Sequence, residues 1–138
     1  RERGRVILIH TNEPVGHVYP GKSPITLGQI FNLADRFPDN KIVFAHWGGG
    51  IFFYTAMKRA VKECLKNIYY DTAASPFLYD PAIYRYAREF GVLDKILFGT
   101  DFPLLQPKRY FKEMTVSGLT ALEIDAVCGK NARALLGL

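Results

Sequence analysis

Four residues in this chain are of a type, and fall at places, that suit chemistry. His10, His46, Asp71 and Asp101 each end a short apolar run or follow directly on one. Imidazole and carboxylate are the side chains that hold divalent cations such as Zn²⁺ and that carry protons near neutral pH. Taken singly, each has a plainer role open to it. A histidine at a strand end is commonly a hydrogen-bonded core residue. An aspartate before a loop is commonly a cap or turn residue. Four of them at equivalent places form a pattern that packing alone does not require, and it points to one polar site. Asp71 keeps both readings, site residue or brace for the loop 72–76. His17 lies in a Gly/Pro loop with Tyr19 and also keeps two, a substrate contact or an ordinary surface histidine.

The elements that must position these residues are read from the apolar pattern. V-I-L-I-H over 6–10, I-V-F-A-H over 42–46, I-Y-Y-D over 68–71 and I-L-F-G-T over 96–100 are short apolar runs, fit for buried strands. Helical patterns separate them. Thr26 with Gln29 is a capping-box pair, followed by Leu27, Ile30, Phe31 and Ala34 on one face. Trp47 and three glycines lead into a helix carrying Phe53, Met57, Ala60, Val61 and Cys64. Asp80 and Pro81 open the next helix, with Ile83, Ala87 and Phe90 inward and Gly91 just past its end. Thr120 with Glu123 is a second capping box, and a last short helix spans 131–136. Alternating strand and helix with apolar strands means an α/β fold, a parallel sheet covered by helices. It is either a doubly wound open sheet or part of a (β/α)₈ barrel, which needs roughly 200 residues or more. In both, the carboxyl ends of the strands lie on one side, which is where the four polar residues fall.

The 138 residues are 49% apolar, enough for one core, so a single domain over 1–138 is expected and disorder is not. No run of about 18 apolar residues suggests a membrane span. No secretory pattern opens the chain, and a cytoplasmic location is expected. The net charge of +5 is dispersed over single residues such as Lys58, Lys62, Arg85 and Lys112, with no basic stripe for nucleic acid. Cys64 and Cys128 read as buried free thiols in a reducing compartment. Gly48, Gly49 and Gly50 match neither G-x-G-x-x-G nor the Walker pattern. They read as a loop passing close to the site, with anion binding at a helix N-terminus as the other possibility.

In order, I-L-I-H ending at His10, F-A-H-W-G-G-G around His46, Y-Y-D-T-A-A-S from Tyr69, L-F-G-T-D-F-P around Asp101 and G-K-N-A-R-A-L-L from Gly129 resemble the amidohydrolase superfamily. The closer likeness is to its amidohydrolase-2 branch, which includes aminocarboxymuconate semialdehyde decarboxylases, aromatic-acid decarboxylases and dicarboxylate lactonases. The resemblance covers essentially the whole chain. It implies four consecutive β-α units, half of a TIM (β/α)₈ barrel, namely strands five to eight. It also implies a divalent metal, usually Zn²⁺, held by an H-x-H pair on the first strand, a His on the fifth and an Asp on the eighth. His10 matches the fifth-strand ligand and Asp101 the eighth-strand one. His46 matches the sixth-strand His beside the metal, so His46 and Asp101 are the catalytic candidates. His17 and Tyr19 in the first loop, and Trp47 and Ser75 within the quoted motifs, are the candidate substrate contacts.

The chain departs from the family in one respect: its three histidines are His10, His17 and His46, and no H-x-H is among them. The expected activity is that of a metal-dependent hydrolase or non-oxidative decarboxylase of small carboxylated or cyclic substrates, with this chain as the C-terminal half. The alternative is a catalytically inactive half-barrel module that self-associates or pairs with an N-terminal half. Both outer strands are apolar and lack the Lys or Pro that blunts a free edge. A homo-oligomer is therefore expected, most simply a two-fold dimer that closes a barrel.

Overall fold

The computed structural model describes residues 5–16 and 18–138; His17 and the side chain of Ala60 lie outside what is described. Four parallel strands alternate with helices. The chain divides into two compact units, Arg1–Tyr70 and Asp71–Leu138.

The first unit holds β1 (Ile7–Ile9), α1 (Leu27–Arg36), β2 (Ile42–Phe44), a tight-turned segment His46–Ala56, α2 (Arg59–Cys64) and most of β3 (Ile68–Asp71). β1 pairs with β2 and β2 with β3, all parallel, with Ile7 opposite Ile42 and Ile42 opposite Ile68. The capping box forms as its residue types require: the Gln29 N–H donates to the Thr26 hydroxyl (3.2 Å), and the Thr26 N–H to Gln29 Oε1 (2.8 Å). Ile30 and Ala34, one turn apart, are buried. β2 has a strand on each side and buries Ile42, Val43 and Phe44. β1 does not match the expectation of a buried strand. Ile7 is 42% and Leu8 66% exposed, because β1 pairs with β2 alone among the described strands. The single helix expected after Trp47 is also two separate pieces. Left-handed backbone at the glycines breaks the helical period, so Ile51 and Phe52 are buried while Phe53 and Met57 are exposed.

The second unit holds α3 (Ser75–Leu78), α4 (Ala82–Glu89), a 3₁₀ turn Leu93–Lys95, β4 (Ile96–Leu97) and α5 (Pro107–Val116). It ends in a continuous rod made of α6 (Ala121–Asp125), a π-helical turn (Ala126–Lys130) and α7 (Asn131–Leu136). Asp80 accepts the Ala82 N–H (2.8 Å), Ile83 and Ala87 point inward with Tyr84, and Gly91 takes φ +70° past the helix end. α5 has no counterpart in the sequence expectations. Pro107 opens it, and Tyr110 and Met114, four residues apart, are fully buried.

The outer edge of β4 departs from expectation. The Leu97 carbonyl accepts the Thr72 N–H (3.0 Å) on one side of the strand. Groups of Ile96 and Phe98 therefore face the other side. There the Asn131 amide donates to the Ile96 and Leu93 carbonyls (2.8 Å each), and the Phe98 N–H donates to the Val127 carbonyl (3.1 Å). The π turn makes this carbonyl available: the Asn131 N–H bonds Ala126, five residues back, and leaves Val127 without its usual intrahelical partner. The expected free edge is covered by the last helix. Both cysteines are free and half-buried rather than buried, and the Cys64 thiol lies 3.2 Å from Asp35 Oδ1. No helix among the described residues is long and apolar enough to cross a membrane.

Candidate active site

The first unit brings His10 and His46 together. Their rings meet edge to face, centroids 5.0 Å apart. The backbone dictates this meeting. The Ala45 N–H donates to the Ile9 carbonyl (2.9 Å), and the Thr11 hydroxyl donates to the Ala45 carbonyl. The residues on either side of His10 are thus both bonded to the residue before His46. At His46 the chain enters a left-handed run: His46 and Trp47 have φ +56°, and Gly48, Gly49 and Gly50 follow with φ +69°, +60° and +98°. For the two non-glycine residues this conformation costs roughly 1–3 kcal/mol each. Such strain persists where packing holds it. A Cβ on Gly49 would stand 2.4 Å from the Asn12 carbonyl oxygen, so the turn presses directly on the loop that follows His10. Asn12 in turn pins that loop, accepting the Ser23 N–H (2.7 Å) and donating to the Ser23 carbonyl (3.1 Å).

The second unit carries the two aspartates. Asp71 accepts the Ala73 N–H (3.0 Å), so it does brace the loop after β3. Thr72 bonds both polar groups of Gly99, donating to its carbonyl (2.9 Å) and accepting its N–H (3.1 Å). Asp101 sits in a left-handed conformation, φ +57°, and its carbonyl accepts the Leu104 N–H (2.8 Å). Ala74, three residues beyond Asp71, is left-handed at the same φ. Beneath both loops lies Tyr110, fully buried, with its phenol pushed up to about 12. Burial is the main cause; the Ala74 N–H opposes it, and the carboxylates of Asp101, Glu113 and Asp71 add to it. Burial also raises the Glu113 carboxyl, against the pull of Arg109. Tyr110 and Glu113 were not singled out by residue type. Their only sequence signal is the Tyr110–Met114 spacing of one helical turn, too little to mark a helix by itself.

Of the substrate candidates, Tyr19 is half-buried beneath the Lys22 ammonium, 6.0 Å from the ring centroid. Trp47 is fully buried, edge-on to Phe52 at 5.1 Å. Ser75 is fully buried against Tyr84, with its N–H donating to the Thr72 carbonyl (2.9 Å). His17 is outside the described residues.

Stable zinc centres use three or four protein donors. Here one unit supplies two adjacent imidazoles, and among the described residues no group of three or more His, Cys, Asp or Glu side chains is gathered. These residues do not by themselves make up that centre.

Parallel strands alternating with helices, with histidines just past two neighbouring strand ends, define the class. The chain belongs to the amidohydrolase family Amidohydro_2, whose model matches residues 1–138. Solved structures share its fold. A 5-carboxyvanillate decarboxylase from Sphingomonas paucimobilis is 19% identical with a TM-score of 0.71, over 98% of this chain and 50% of that one. An uncharacterized TIM-barrel protein from Bordetella bronchiseptica is 19% identical with a TM-score of 0.72, over 99% of this chain and 47% of that one. A dihydroxybenzoic acid decarboxylase from Polaromonas, solved with manganese and the inhibitor 2-nitroresorcinol, is 21% identical with a TM-score of 0.61, over 81% and 38%. The chain thus spans half or less of the length of these relatives. The metal seen in that relative is manganese, and nothing among the described residues favours zinc. No curated protein gives a significant match.

Proposed function

We propose that this chain contributes half of the active site of a metal-dependent hydrolase or non-oxidative decarboxylase acting on small carboxylated or cyclic molecules, hydroxylated aromatic acids among them. The observation that carries the reading is the His10–His46 pair, held 5.0 Å apart at neighbouring strand ends by a strained left-handed turn. Family membership and the decarboxylases among its structural relatives support it. In this reading His46 is the general acid/base. In decarboxylation it delivers a proton to the ring carbon as the carbon–carbon bond breaks and CO₂ leaves. In hydrolysis it takes the proton from the attacking water. Asp101, in the second unit, is the other catalytic candidate. Both chemistries need the same proton carrier, so the residues serve either. A divalent cation, such as the manganese of one relative, would supply electrostatic stabilisation in the complete barrel, with His10 as the donor this unit would offer it.

The test is turnover of hydroxybenzoates and of a lactone dicarboxylate by a complete barrel assembled around this chain. His46→Ala should lower it about a hundredfold or more, the scale of a lost acid/base group, while circular dichroism stays unchanged. Normal turnover by the variant would make His46 a core histidine only. The second reading, a non-catalytic half-barrel that pairs with another segment, is favoured by the shortage of gathered metal donors among the described residues. It predicts no turnover of either substrate class by the assembled barrel.

A further inference from the structure

We propose that Tyr110 is a positioning residue that locks the Asp101 and Asp71 loops into one geometry through a single buried hydroxyl. Its O–H donates to the Thr100 carbonyl (2.7 Å) and its oxygen accepts the Ala74 N–H (3.0 Å). A phenol can do both at once because it carries one donor and free lone pairs. The two contacts fall where the chain most needs holding. Thr100 immediately precedes Asp101, and both Asp101 and Ala74 sit at φ +57°, where an L residue does not stay unless its surroundings hold it. Consecutive amides divide the work in the first loop: the Ala73 N–H holds the Asp71 carboxylate, and the Ala74 N–H holds Tyr110. The ring is itself fixed. It is fully buried, stands edge-on to Phe98 (centroids 5.6 Å apart), and rides on α5, which buries Met114 one turn further on. Because the phenol is shifted upward, it keeps its proton and the direction of donation does not reverse near neutral pH. Thr72 makes a parallel tie to Gly99, so each loop is bonded at its root and again at its tip. The functional meaning of the lock rests on the reading of Asp101 as a site residue; the lock itself does not.

The experiment uses the 138-residue chain without substrate, so it can fail while the proposed function stands, and the reverse. Native-state hydrogen exchange of the wild type comes first. The Ala74 amide should be protected although it lies in a loop, and exchange at the rate of an open loop amide would overturn the proposal. Tyr110→Phe keeps the ring and removes the hydroxyl. It should speed Ala74 exchange about tenfold or more, the scale of one lost hydrogen bond, and move the Asp101 HN–Hα coupling away from its left-handed value. Ile83→Val trims the core of the same unit elsewhere and should change neither readout. Unchanged readouts in Tyr110→Phe, or equal changes in Ile83→Val, would show a general packing role and overturn the proposal.

Discussion

His46 shows how much a single residue depends on its neighbours. Its type suits proton transfer, but its place beside His10 comes from five successive left-handed residues and from Gly49 pressing on Asn12. Gly49→Ala adds both a positive-φ penalty and a backbone clash at 2.4 Å. It should destabilise the chain by about 2 kcal/mol or more. Gly50→Ala carries the φ penalty alone, its nearest contact being Leu27 at 3.8 Å, and should cost less. Urea midpoints of the two variants give the comparison. Glu113 makes a prediction of a different kind. Its carboxyl is raised in the folded chain, chiefly by burial, so the fold holds its proton more tightly than the unfolded chain does. Below the unfolded value both states are protonated and the group is neutral to stability. Above the folded value the buried charge opposes folding. Glu113→Gln should therefore gain stability relative to wild type at neutral pH and lose that advantage near about pH 4, close to the ordinary carboxylate value. Urea melts at the two pH values measure it.

At the scale of elements, the helices whose ends are written in side chains are the ones the sequence places well. Thr120 and Glu123 exchange bonds at the start of α6: the Glu123 N–H donates to the Thr120 hydroxyl (3.3 Å), and the Thr120 N–H to Glu123 Oε2 (2.7 Å). Thr120→Ala removes the first bond and should lower stability by about 1 kcal/mol, read as a fall in the thermal midpoint. The tight-turned segment after β2 departs from the helix its spacing suggests, for a physical reason. Phe53, Met57 and Val61 keep helical spacing on paper, but the left-handed backbone upstream rotates the chain out of phase, and Phe53 and Met57 end exposed. α5 went unread because its only deep positions are Tyr110 and Met114, too few to mark a period in so charged a segment.

For the whole molecule, the two strand edges differ in state. β1 leaves Leu8 66% exposed, whereas β4 has the Ile96 carbonyl and the Phe98 N–H bonded to the last helix. We propose that self-association of this chain uses the β1 edge, and that pairing at β4 requires the Val127–Asn131 contacts to give way. Asn131→Ala removes the donor to two carbonyls, one of them buried. It should destabilise the chain by about 1–3 kcal/mol and shift it toward larger species by freeing the edge. Light scattering after size exclusion, beside the wild type at equal concentration, measures the shift. An unchanged mass distribution would mean that β4 stays covered without Asn131.

The sequence by itself determined the alternation of strand and helix, the parallel sheet and both capping boxes. It also determined the placing of His10, His46 and Asp71 at or just past strand ends, whereas β4 stops at Leu97 and Asp101 follows it only after three loop residues. These follow from local periodicity and from residues adjacent in the chain. Tertiary structure decided what depends on distant partners. The left-handed run at His46 packs against Asn12, 37 positions before Gly49. The Tyr110 lock joins Ala74 and Thr100, 36 and 10 positions away. The cover on β4 reaches from Ile96 to Asn131, 35 positions on. No propensity or spacing encodes these contacts, because each brings a side chain or a glycine onto a distant backbone group whose direction is set only when the loops have closed.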